Sequence, residues 1–133
     1  MAEIIFPQKP EILELQAELI EEFGGIHGLR DEGAFESALM AAENRYYYES
    51  AEILVLAATY AYHLSQAHAF LDGNKRIAAA VAGIFLRMNG TRLNVTNKEI
   101  IELFLDIAAS RLSREDVERK FAEWLITGKE NNE

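Results

Sequence analysis

The sequence predicts an all-α domain of about six helices, on three observations. Apolar residues recur three and four apart in successive segments. Those segments are punctuated by helix-capping residues and glycines, and no segment sustains the period-two alternation of a strand. The first segment runs from Glu11 to Phe23, where Ile12, Leu15, Leu19, Ile20 and Phe23 alternate with glutamates before Gly24-Gly25 stops the helix. Gly24 to Gly33 holds four glycines and is expected to be an irregular loop or short hairpin before a second helix around Ala34 to Asn44. Tyr46-Tyr47-Tyr48 then leads into a third helix, Glu52 to Ala67, apolar around most of its circumference and therefore central.

A fourth helix from Asn74 to Asn89 is also apolar nearly all round, with Gly90 after its end. Thr96-Asn97-Lys98-Glu99 is a capping box opening a helix to about Ala109. Ser113 caps a last helix carrying Val117, Phe121, Trp124 and Leu125, and the tail from Gly128 is expected to fray.

The chain has 133 residues, half of them apolar, which suits one domain over 1–133 with about ten N-terminal and six C-terminal residues peripheral. It has no cysteine, which removes disulfides, thiolate metal sites and thiol catalysis. The N-terminus lacks the basic and apolar regions of a signal peptide, so a cytoplasmic location is expected. The most apolar run, Ile77 to Leu86 between Arg76 and Arg87, is half the length of a membrane span, and no membrane association is expected. A net charge of −9 argues against direct nucleic-acid binding, which needs a basic surface.

The chemistry concentrates in His68-Ala69-Phe70-Leu71-Asp72-Gly73-Asn74-Lys75-Arg76, between two buried helices. A loop ending at a helix N-terminus presents unpaired N–H groups and the positive end of the dipole to an anion. Gly73 permits the close approach a phosphate needs, and Lys75 and Arg76 add charge-assisted donors. Cations in a first helical turn oppose the dipole, so an anion in front of them makes sense of their position. Asp72 offers a hard oxygen suited to Mg²⁺ bridging phosphate oxygens, and His68 can take a proton from an incoming hydroxyl. Blander readings stand beside these: His68 as a surface residue at a helix end, Asp72 as an N-cap, and Lys75 and Arg76 as solvated cations. His63 is read as a hydrogen-bonded structural residue, His27 as flap surface, and the tyrosine run as core and rim packing.

These residues resemble the Fic/Doc superfamily, whose motif is His-x-Phe-x-(Asp or Glu)-Gly-Asn-x-Arg. His68, Phe70, Asp72, Gly73, Asn74 and Arg76 stand in those places, and Lys75 matches the Doc (death-on-curing) toxin branch. Glu22 to Asp31 and Glu36-Ser37-Ala38-Leu39 resemble the Doc flap region, and Phe85 to Gly90 its helix end, so the likeness covers about residues 11 to 126. The resemblance implies a Fic fold in which His68 is the base, Asp72 the Mg²⁺ ligand, and Gly73 and Asn74 the phosphate cradle. Lys75 and Arg76 would hold phosphates of ATP, and Phe70 would anchor the loop. Ile26, His27, Gly28, Leu29 and Arg30 would form a flap that pairs with an extended piece of target, with Arg30 and Asp31 fixing it.

Two departures select the chemistry that the resemblance implies. AMP-transferring members usually have Gly where this chain has Lys75 and a second Arg where it has Ala79. Both differences favour the Doc branch, whose members resemble kinases that present the γ-phosphate to a hydroxyl of elongation factor Tu. The implied function is thus a toxin of a toxin–antitoxin system: an Mg²⁺-dependent Ser/Thr kinase-like phosphotransferase that halts translation. The alternatives are a protein AMP-transferase and a non-catalytic binding or regulatory module. Self-inhibiting members carry (Ser or Thr)-x-x-x-Glu-(Gly or Asn), and no Ser or Thr here has Glu four residues later. Inhibition is therefore expected in trans, from a Phd-type antitoxin.

Overall fold

A computed structural model describes residues 3–127. Six helices are seen among them: α1 (Lys9–Phe23), α2 (Glu32–Glu49), α3 (Ile53–Ala67), α4 (Asn74–Met88), α5 (Asn97–Ala108) and α6 (Arg114–Trp124). The all-helical expectation holds with one addition, a short antiparallel ladder of β1 (Thr91–Leu93) and β2 (Leu125–Thr127), with Leu93 opposite Leu125. Strands this short leave no alternation to read. Leu125, expected on the last helix, opens β2 instead. The frayed tail expected from Gly128 lies outside the described residues.

Helix boundaries follow their caps. The Asp31 side chain accepts a hydrogen bond from the Ala34 N–H at 3.0 Å, starting α2 two residues before the expected point. Its end is also later, because Arg45 to Glu49 continue as helix and Ser50 closes it in a left-handed conformation. The three tyrosines therefore lie on α2 and not in a connection. Thr96 and Ser113 close the capping boxes of α5 and α6.

Helix α3 is the axis of the molecule, packed on α2, α4, α5 and α6. Its Leu56, Ala57, Tyr60, Ala61 and Leu64 are fully buried, and small alanines let neighbouring backbones approach. Arg45 of α2 ties three helices together: its guanidinium donates to Thr59 Oγ1 of α3 at 3.0 Å and to Glu118 Oε2 of α6 at 2.7 Å. None of the described helices is long and apolar enough to cross a membrane.

Candidate active site

The α3–α4 connection is a short loop held on both sides. Helix α3 ends at His68, whose φ of 49° is left-handed, and α4 starts after Gly73 at φ 77°. Between them Phe70 is buried, its ring edge-on to Phe35 at 5.2 Å, so the loop is pinned into the core. The Asn74 side chain closes the loop on itself. Its Oδ1 accepts from the Phe70 N–H at 2.9 Å, and its Nδ2 donates to the Phe70 carbonyl at 3.0 Å.

The flap closes the other side. Leu29 and Phe70 form an isolated antiparallel bridge. The N–H groups of Arg30 and Asp31 both donate to the Ala69 carbonyl, and the Leu71 N–H donates to the Gly28 carbonyl at 3.0 Å. Arg30 Nη2 donates to the His68 carbonyl at 2.7 Å, and the Ile26 N–H donates to Asp72 Oδ2 at 2.9 Å. Arg30 and Asp31 thus do hold the flap, Asp31 also by capping α2.

What these contacts leave free is the cradle. Gly73, with no side chain to cap α4, accepts from the Ile77 N–H. The N–H groups of Asn74, Lys75 and Arg76 have no intrahelical acceptor, as in any first turn. Lys75 and Arg76 are exposed and make no ion pair among the described residues. The His68 ring is exposed on the same side. All of these line a cleft of about 470 Å³. For Asn74 the geometry narrows the expected role: its side chain is spent holding the loop, which leaves only its backbone N–H for an anion. Asp72 is not the N-cap of α4; Gly73 is.

Sequence reasoning missed the opposite wall. Ile100, Ile101, Phe104, Leu105 and Ala108 of α5 give the cleft an apolar face across from the cations. Ile101 and Leu105 are about half exposed, although Leu103, Phe104 and Ile107 already satisfy the core. A second apolar stripe on α5 was the signal available. Also missed was Gln16 of α1, buried at 3% exposure, whose Nε2 points to the Asp72 carbonyl at 3.4 Å. His63 departs from its expected hydrogen bonding. Its Nε2 is buried without a partner among the described residues, its ring stands edge-on to Tyr62 at 5.3 Å, and burial first, then Arg114 and Arg45, lowers its pKa.

Chemically, the cleft offers one free carboxylate oxygen, a helix N-terminus, two unneutralised cations, an exposed imidazole and an apolar wall. Among the described residues no group of three or more His, Asp or Glu could hold a metal alone. The donor set fits a hard divalent ion that takes one carboxylate oxygen from Asp72 and the rest from a ligand's phosphates and water.

A profile of the Fic/DOC family matches residues 7–86, which include the flap and the whole loop. The protein kinase Doc of Escherichia phage P1 is 31% identical over 104 residues, covering 77% of this chain and 82% of the relative.

Proposed function

Because this chain belongs to the Fic/DOC family, we propose that it is a Doc-type toxin and protein kinase. It moves the γ-phosphate of ATP to a Ser or Thr hydroxyl of a translation factor of the elongation factor Tu type, in the cytoplasm, until an antitoxin of the Phd type restrains it. The observation that carries the reading is the pairing of an exposed His68 with an uncapped α4 N-terminus and two unneutralised cations around one cleft.

The cleft divides the work. The apolar wall of α5 takes the nucleoside, and the Asn74, Lys75 and Arg76 N–H groups with the two side-chain cations take phosphates. Asp72 would hold a magnesium ion, which would supply charge neutralisation for the phosphates. In the flap, alternate backbone groups point to opposite sides of an extended strand. Gly28 and Arg30 face the motif loop, which leaves His27 and Leu29 to pair with an extended target segment. The target hydroxyl then lies beside His68. His68 accepts the hydroxyl proton as the oxygen bonds to the γ-phosphorus, and the bond from that phosphorus to its bridging oxygen breaks, releasing ADP. Ala79 lines the same cleft and leaves that wall without a further cation. This favours γ-phosphoryl transfer over AMP transfer.

The test is incubation with Mg²⁺, elongation factor Tu and ATP labelled at the α- or the γ-phosphate, with His68→Ala alongside. Label from γ alone, lost in the variant, is expected. Label from α would make the protein an AMP-transferase, and no His68-dependent label on this factor or in a cell lysate would make it a binding module.

A further inference from the structure

We propose that Phe23 is a positioning residue of the anion cradle: its ring carries the Arg76 guanidinium and holds it, unneutralised, at the mouth of the cleft. This rests on the nucleotide reading above and deepens it.

The Arg76 Cζ lies 4.8 Å from the centroid of the Phe23 ring, well inside cation–π range. Helical spacing assigns Phe23 to the buried face of α1, yet it is 56% exposed. One exposed phenylalanine is ordinary by itself; the choice made by the cation above it is informative. This chain has 22 acidic against 13 basic residues, so carboxylate partners are plentiful for its arginines. Arg45, Arg111, Arg114 and Arg119 all have one. Arg76 has none among the described residues, and its guanidinium lies over a ring instead.

The difference matters because of how a guanidinium binds. A carboxylate would hold Arg76 but also occupy its edge N–H donors and cancel its charge. A ring takes only the face and leaves the edge free for a phosphate. Phe23 is itself well placed to do this. The Gly24 N–H closes the last turn of α1 on the Ile20 carbonyl at 2.7 Å, so the ring sits on a fixed turn where the chain leaves for the flap. A phosphate therefore meets an arginine already confined, and less side-chain freedom is lost on binding.

The test is a calorimetric titration of the full chain with Mg²⁺–ATP, using Phe23→Leu, Phe23→Tyr, Arg76→Ala and the Phe23→Leu/Arg76→Ala double variant. The Arg76 Nε–H resonance is followed in parallel. Phe23→Leu is expected to weaken binding about five-fold, with Phe23→Tyr restoring it. In the Arg76→Ala background, Phe23→Leu should add nothing. The ring should also shift the Arg76 Nε–H resonance upfield, and that shift should vanish in Phe23→Leu and return in Phe23→Tyr, which separates positioning from a general loss of folding. Unchanged affinity in Phe23→Leu, or an equal loss with and without Arg76, overturns the role of Phe23 while leaving the nucleotide reading intact. Failure of the unaltered protein to bind Mg²⁺–ATP overturns both.

Discussion

Asp72 Oδ2 accepts a hydrogen bond from the Ile26 backbone N–H at 2.9 Å, so one carboxylate joins the flap to the loop that carries the candidate chemistry. Its two oxygens can then serve separate tasks: Oδ2 holds the flap, and under the proposed function the other meets a magnesium ion. Asp72→Asn keeps an oxygen that can accept from Ile26 but loses the charge a divalent ion requires. Asp72→Ala loses both. The expected outcome is that the Asn variant retains slow amide exchange at Ile26 and fails to bind Mg²⁺–ATP, whereas the Ala variant loses protection and binding together. Loss of Ile26 protection in the Asn variant would show that charge, and not the acceptor, holds the flap.

Asn74 is expected to matter more to stability than to phosphate contact. Its side chain satisfies both backbone groups of Phe70. Asn74→Ala leaves that N–H and C=O without partners in a part-buried loop, which costs about 1–3 kcal/mol. Asn74→Asp keeps an acceptor for the Phe70 N–H but sets a carboxylate against the Phe70 carbonyl, and should fare little better. Denaturant unfolding gives the number. A variant as stable as the unaltered chain would mean the loop is held by Phe70 packing alone.

Much of this was legible in the sequence, for identifiable reasons. The caps Thr96 and Ser113 act through neighbours three residues away, so they read locally, whereas the Asp31 cap was masked by the glycines around it. The loop residues His68 to Arg76 are contiguous, and contiguity is what a sequence displays best. What was not legible depends on approach between distant segments. Nothing near Ile100 or Leu105 says that α5 faces residue 68, nothing near Phe23 says that Arg76 lies over it, and helical spacing pointed that ring inward. The β1–β2 ladder joins residues more than thirty apart through strands too short to show a period. The division of Asn74 between backbone and side chain required seeing Phe70 within reach.

Two glycines near the flap should respond oppositely to alanine. Gly25 sits at φ 119°, and an added Cβ there would lie 3.0 Å from Ile20 Cδ1 and 3.1 Å from Asp72 Cβ. Strain of about 1–3 kcal/mol is expected from the backbone alone, and the push on Asp72 should weaken Mg²⁺–ATP binding as well. Gly33, in the first turn of α2, would place its Cβ no closer than 3.5 Å to Asp31 Oδ1, an ordinary contact. Gly33→Ala should therefore stabilise by up to ~1 kcal/mol with binding unchanged. Thermal unfolding with a parallel titration separates the two, and equal effects would mean that Gly25 is free to move.

Acid should loosen the protein through His63 before its carboxylates titrate. Burial, with Arg114 and Arg45 nearby, lowers the His63 pKa in the folded chain, while the unfolded chain keeps the ordinary histidine value of about 6.5. The unfolded state thus binds this proton first, so stability is full above about pH 6.5 and is lost as pH falls below it, until the folded chain too is protonated. Glu115, whose pKa is lowered chiefly by a backbone hydrogen bond, has the same sign but acts only as pH falls below the ordinary carboxylate value. His63→Gln should accordingly flatten the fall in Tm between about pH 7 and pH 5 and leave the steeper loss at lower pH in place. The ring lies on α3 beside Tyr62, within the influence of the two arginines, and is not among the residues that line the cleft. Mg²⁺–ATP affinity at pH 7.5 should then be the same in both proteins, and a pH slope of Tm that survives the substitution would assign the acid sensitivity elsewhere.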